Sequence, residues 1–154
     1  MKKSFLIIAL AVVAAACNNT NTNSKTTTDT LATQTKAVVT ADLFGTQWKL
    51  NELNGKAIKL DTAFKKEPHL VFEKETNKFN GNAGCNNFMG SFKLKDSNGI
   101  ELSQVGATMM ACPNLAVETE FLDAMKKVKT YHIEGNVLML NDEKNTTLAK
   151  LSTQ

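Results

Sequence analysis

The chain has 154 residues, enough for one domain with an appended segment and too few for two full domains. Hydrophobic residues at 42% and charged residues at 21% give a globular balance that excludes disorder along the whole length. The formal charge is +3; with Lys2 and Lys3 of a removable leader set aside, 16 lysines face 15 acids and leave +1, and with no arginine present the forked recognition of phosphates and guanine edges has no donor, which argues against a nucleic-acid reader.

In chain order, residues 1–16 read as an export signal: a basic start, an apolar run from Phe5 to Ala16, and small residues before Cys17. The run is well short of the roughly 20 residues a membrane-crossing helix needs. Cysteine directly after Ala14-Ala15-Ala16 resembles the bacterial lipobox, although Ala14 stands where an aliphatic residue is usual. That resemblance implies cleavage before Cys17 and lipid on its thiol, so the first expected partner is a bilayer. Asn18, rather than aspartate, follows the cysteine and points to the outer membrane of a Gram-negative envelope. Residues 17–40 are dominated by Asn, Thr, Ser and Lys and are expected to form a flexible tether.

Beyond residue 40, Asn54-Gly55, Asn80-Gly81, Asn98-Gly99 and Gly135-Asn136 lie between apolar segments, as tight hairpin turns require. Strand-like stretches surround them: Trp48 to Leu53, Ile58 and Leu60, Leu70 to Phe72, Phe92 and Leu94 against Ile100 and Leu102, Tyr131 and Ile133, Val137 to Leu140, and Leu148 to Leu151. One segment has a different period. Val117, Phe121, Leu122, Met125 and Val128 recur at steps of three and four, early acids and late lysines match the helix dipole, and Asn114 is available as N-cap. The expected fold is α+β, mainly β: an antiparallel sheet curled toward a small barrel, with one main covering helix.

The most unusual stretch runs from Asn80 to Phe92 and holds Gly81, Gly84 and Gly90 beside several asparagines, the composition of a specifically shaped loop feeding a strand. A second cluster, Thr108-Met109-Met110-Ala111-Cys112-Pro113, precedes the helix with its Glu118 and Phe121. At these residues the chain resembles the META domain family, whose heat-inducible HslJ-type lipoproteins share the pattern. The resemblance spans roughly residues 43–151 and falls on Trp48, Gly81, Gly84, Cys85, Asn86, Gly90, Thr108, Met110, Ala111, Cys112, Glu118 and Phe121. It implies a mostly antiparallel β fold with a packed helix and a role in heat or stress tolerance. It supplies no catalytic residues and no cofactor.

Setting Cys17 aside leaves Cys85 and Cys112 as an even pair in an exported chain, which reads as a disulfide; two buried thiols packed as small hydrophobes are the alternative. A bridge would close a loop worth about 3.5 kcal/mol in the chain-entropy model. A redox-active pair is a poorer candidate, since the spacing is not Cys-x-x-Cys and no neighbouring positive charge would hold a thiolate. Cys85, Cys112, Met89, Met109 and Met110 could also gather around Cu(I), which favours sulfur ligands, but methionine is as readily a core filler. His132 and Glu134 would share one strand face, a minimal acid/base arrangement, although alternation turns both toward water with Tyr131 and Ile133 inward. His69 carries no signal of its own. The sequence therefore points to a non-enzymatic, lipid-anchored envelope protein serving stress tolerance or envelope maintenance through protein or ligand contact, an envelope protein being the expected macromolecular partner, with a binding module for a small hydrophobic compound or soft metal such as Cu(I) as the alternative.

Overall fold

The computed structural model describes residues 40–59, 66–113 and 115–153. The leader, Cys17, most of the tether, Leu60 and Asn114 lie outside the described residues. Nine strands form one antiparallel sheet: β1 (Trp48–Leu53), β2 (Lys56–Ala57), β3 (His69–Glu73), β4 (Lys78–Asn82), β5 (Asn87–Leu94), β6 (Ile100–Ala107), β7 (Thr130–Glu134), β8 (Val137–Asn141) and β9 (Thr147–Ser152). The helix α1 (Ala116–Lys127) lies between β6 and β7 in the chain. The spatial order is β6-β5-β4-β3-β1-β9-β8-β7, with β2 as a short extra partner of β1. The fold is the mainly β architecture read from the sequence.

The sheet curls without closing. Its two outer strands touch at one end only, where Gly99 bridges Thr130, Ile100 N donates to Lys129 O at 2.9 Å and Tyr131 N donates to Asn98 O at 2.9 Å. Curling turns one face of every long strand inward, so the apolar alternation of each strand meets that of its neighbours. Trp48, Leu70, Phe72, Phe79, Phe88, Leu138, Leu140 and Leu151 are fully buried there. Trp48 keeps its indole nitrogen paired by donating to Leu43 O at 3.1 Å. Aromatic rings run through this core in contact: Phe44 with Phe92, Phe92 with Phe72, Phe72 with Phe79, Phe79 with Phe88, and Phe88 edge-on to Phe121 of the helix at 5.4 Å.

Leu50 and Leu53 both point inward although they stand three positions apart, which strict alternation forbids. A bulge in the pairing of β1 with β9, between Leu50 and Glu52, absorbs the extra residue. The helix buries Glu118, Phe121, Ala124 and Met125, with Val128 buried just beyond its end and Val117 and Leu122 at the margin of the stripe. Its first turn carries Glu118 and its last Lys126 and Lys127, the polarity its dipole favours. The residue at the N-cap is Leu115, without a side-chain cap bond, and the expected N-cap residue, Asn114, lies outside the described residues.

Two of the four expected turns are corrected. Asn54 and Gly55 have φ of 49° and 78° and make the β1–β2 turn, and Gly135 at φ 56° makes the β7–β8 turn. Asn80-Gly81, in contrast, sits inside β4, and the hairpin that precedes it turns at Asn77, φ 53°. Glycine is required at position 81 because a Cβ there would strike the carbonyl oxygen of His69 and the ring of Phe88. Between β5 and β6 the left-handed residue is Ser97, φ 63°, while Gly99 forms the bridge to Thr130.

These two kinds of glycine should respond differently to alanine. Gly81→Ala is expected to cost about 3 kcal/mol, because backbone and a core ring must move. Gly55→Ala, with open space around the site, should cost about 1 kcal/mol from the positive φ alone. Urea unfolding of the two variants checks the order; equal losses would contradict the packing argument.

Candidate functional site

The β4–β5 connection, residues 83–86, is built by asparagines that hydrogen-bond their own loop. Asn82 accepts from Gly84 N at 2.8 Å and donates to Asn87 Oδ1 at 3.0 Å, and Ala83 N donates to Asn86 O at 2.9 Å. Gly84 takes φ 109°, a conformation L side chains rarely adopt, and this lets the chain reverse within the loop. The turn thereby drives Cys85 and Asn86 into the interior, next to the segment leading to the helix.

Asn86, 2% exposed, is the centre of the arrangement. Its backbone N and its Nδ2 each donate to a different carboxylate oxygen of Glu118, both at 2.7 Å. Its Oδ1 accepts from Thr108 Oγ1 at 2.8 Å and from Met110 N at 2.7 Å, and Nδ2 also reaches Met110 O at 3.3 Å. Thr108 closes the circuit, its N donating to Asn87 O at 3.0 Å and its Oγ1 accepting from Asn87 N at 3.2 Å. Glu118 is only 8% exposed, yet both its oxygens are engaged, and the helix N-terminus in which it sits favours a carboxylate. Cys85 and Cys112 are joined by a disulfide with Cα atoms 6.4 Å apart, fastening the same two segments a second time.

The structure therefore brings eight of the twelve motif residues named above to one corner of the domain, with the other four in the adjoining core. Gly84, Cys85, Asn86, Thr108, Met110, Ala111, Cys112 and Glu118 make or flank the knot. Gly90 faces Phe79, whose ring and the Ser103 carbonyl leave no room for a Cβ, and Phe121 anchors the helix against Phe88. Trp48 and Gly81 belong to the adjoining core. Sequence reasoning missed that Asn86 and Glu118 are partners. A buried acid in the first helical turn, opening an otherwise apolar stripe, was the available signal.

The other candidates remain apart from this corner. His132 and Glu134 point outward from β7 while Tyr131 and Ile133 pack on the core. His69 Nδ1 lies 2.8 Å from Glu67 O near the surface. Among the described residues no group of three or more His, Cys, Asp or Glu could hold a metal ion. Both cysteines are committed to each other and supply no thiolate, so of the sulfur set considered for copper the thioethers of Met89, Met109 and Met110 are what remains. Those methionines are exposed and border two adjoining depressions. One, of about 370 Å³, lies between α1 and the 107–111 segment and is lined by Met109, Met110, Leu115 and Leu122; Met89 borders the other.

Residues 41–154 match the family model of the META domain. The chain belongs to the META domain family. Solved structures share the fold of this META domain at low identity. An NMR structure of a protein from Burkholderia xenovorans is 23% identical, with a TM-score of 0.57 over 73% of this chain and 83% of that one. The crystal structure of a DUF4847 family protein from Bacteroides vulgatus is 15% identical, with a TM-score of 0.52 over 73% of this chain and 94% of its own. No curated protein matches the chain.

If the knot is what holds the META domain's corner together, Asn86→Ala should destabilise it by about 3 kcal/mol, since the Glu118 carboxylate, Thr108 hydroxyl and Met110 N–H all lose a partner. In a double-mutant cycle with Glu118→Ala, denaturant unfolding should return a coupling of about 2 kcal/mol. Additive losses would mean that the two residues act separately.

Joint replacement of Cys85 and Cys112 by alanine should lower stability by about 3.5 kcal/mol, from the unfolded chain's recovered freedom. The secondary structure should persist, read as an unchanged far-UV spectrum below the melting transition.

Proposed function

We propose that this META-domain protein is a non-enzymatic, lipid-anchored envelope protein that serves stress tolerance or envelope maintenance by binding a protein or ligand rather than by transforming it. The observation that carries this reading is the fate of the motif residues' polar groups. Asn86, Thr108 and Glu118, the groups on which acid/base or nucleophilic chemistry would have to rest, are spent on one another inside the domain. Such a corner fixes a surface in place; it does not present a reactive atom. The lipobox-like leader and Cys17 support the address, and the Asn/Thr-rich segment after it supports a domain held off the bilayer.

Intact-mass measurement on protein from the envelope fraction tests the reading. The expected species lacks residues 1–16, carries acyl mass on Cys17 and is two hydrogens lighter than the dithiol form. An unprocessed chain in the cytosol, with Cys85 and Cys112 both open to alkylation, would overturn it.

A small apolar ligand is the second reading, favoured by the depression beside Met109, Met110, Leu115 and Leu122. Thermal-shift measurement with apolar probes on Leu122→Lys and parent protein checks it: stabilisation of the parent alone supports binding there.

A further inference from the structure

Between Glu101 and Glu118 the sequence contains no charged residue. This uncharged run forms edge strand β6 and the segment that leads into the helix, and exposed sulfur is concentrated along it. Five of the chain's six methionines lie in the folded domain. Met109 is 97% exposed, Met89 66% and Met110 43%, whereas Met125 is 1% exposed and Met139 is partly buried. Met89 joins the run by pairing with Gly106 across β5 and β6.

The exposure of Met109 is imposed by the backbone. The residues on either side of it are tied down, Thr108 to Asn87 and Asn86, and Met110 to Asn86 through both its N–H and its carbonyl. The side chain between them is held out in water, where an apolar residue contributes no burial energy. Chemical change at its sulfur therefore leaves every bond of the knot intact. Change at Met125, inside the core, does not have that freedom.

We propose that Met89, Met109 and Met110 form an oxidation-acceptor surface, reacting with two-electron oxygen donors such as hypochlorous acid. In that step a thioether lone pair attacks the oxygen of HOCl, the O–Cl bond breaks, chloride leaves and the hydroxyl proton passes to water. The sulfur is oxidised to the sulfoxide and chlorine is reduced to chloride. A flexible apolar side chain becomes a polar one, so an uncharged greasy face turns hydrophilic while the disulfide and the core stay as they are. Methionine sulfoxide reductases, one for each sulfoxide epimer, reverse the change. Export supplies the setting in which such oxidants would be met, and to that extent the inference rests on the function proposed above; the reactivity order depends on the domain alone.

The test is a hypochlorous acid titration of the purified full chain, with peptide mapping by mass spectrometry and thermal unfolding of the same samples. Met109 and Met89 should gain oxygen at least about tenfold faster than Met125, following exposure. The melting transition should survive their modification, and the two reductases together should remove the added oxygen. A variant with Met89, Met109 and Met110 all changed to leucine should take up correspondingly less oxygen at low oxidant, while Met125→Leu should behave as the parent. Equal rates at Met109 and Met125, or loss of the folded transition as soon as Met109 is oxidised, would overturn the proposal. Because the mapping uses purified protein, a cytosolic address would defeat the functional reading without altering this outcome.

Discussion

The pairing of Asn86 with Glu118 is the constraint on which the corner of this domain depends. A carboxylate removed from water must be compensated by donors, and here both donors come from one asparagine, its backbone amide and its side-chain amide. That geometry exists only if the loop before β5 reverses sharply enough to aim both groups at the helix. Gly84 and the bonds of Asn82 provide the reversal. The remaining lone pairs of Asn86 then capture Thr108 and Met110, so the strand that leaves the sheet, the loop that enters it and the helix between sheet edges share one set of bonds. A half-satisfied version would be worse than an apolar corner, and among the described residues no buried side-chain nitrogen or oxygen lacks a partner.

Placing Glu118 there has a consequence for the helix. A position that the apolar stripe would give to a hydrophobic side chain is occupied by an acid, so the apolar hold on α1 comes from Phe121, Ala124 and Met125 further along it. Its N-cap is a leucine without a capping bond. The acidic charge at the first turn complements the helix dipole.

Most of the architecture was legible in the sequence because period and turn chemistry act locally. The step of three and four through Phe121, Met125 and Val128 marked the helix, and alternation at Tyr131 to Glu134 assigned the faces of β7. Asn80-Gly81 misled for a physical reason: the pair has the composition of a turn, but Gly81 is small because β3 and Phe88 crowd it, a tertiary demand invisible from the neighbours in sequence. Likewise Leu50 and Leu53 break alternation through a bulge that only β9 reveals. The motif residues were recognisable as a set, yet their roles were not, since the bonds between Asn86 and Glu118 join positions 32 residues apart.

The single seam between Gly99 and Thr130 makes the sheet a clasp rather than a ring. Its two lips are stitched at the base, and the helix that joins them in the chain packs against β6, β1 and β9. Local opening should therefore begin along the unpaired stretch of the two edge strands before it reaches the seam, and amide hydrogens should exchange along that gradient.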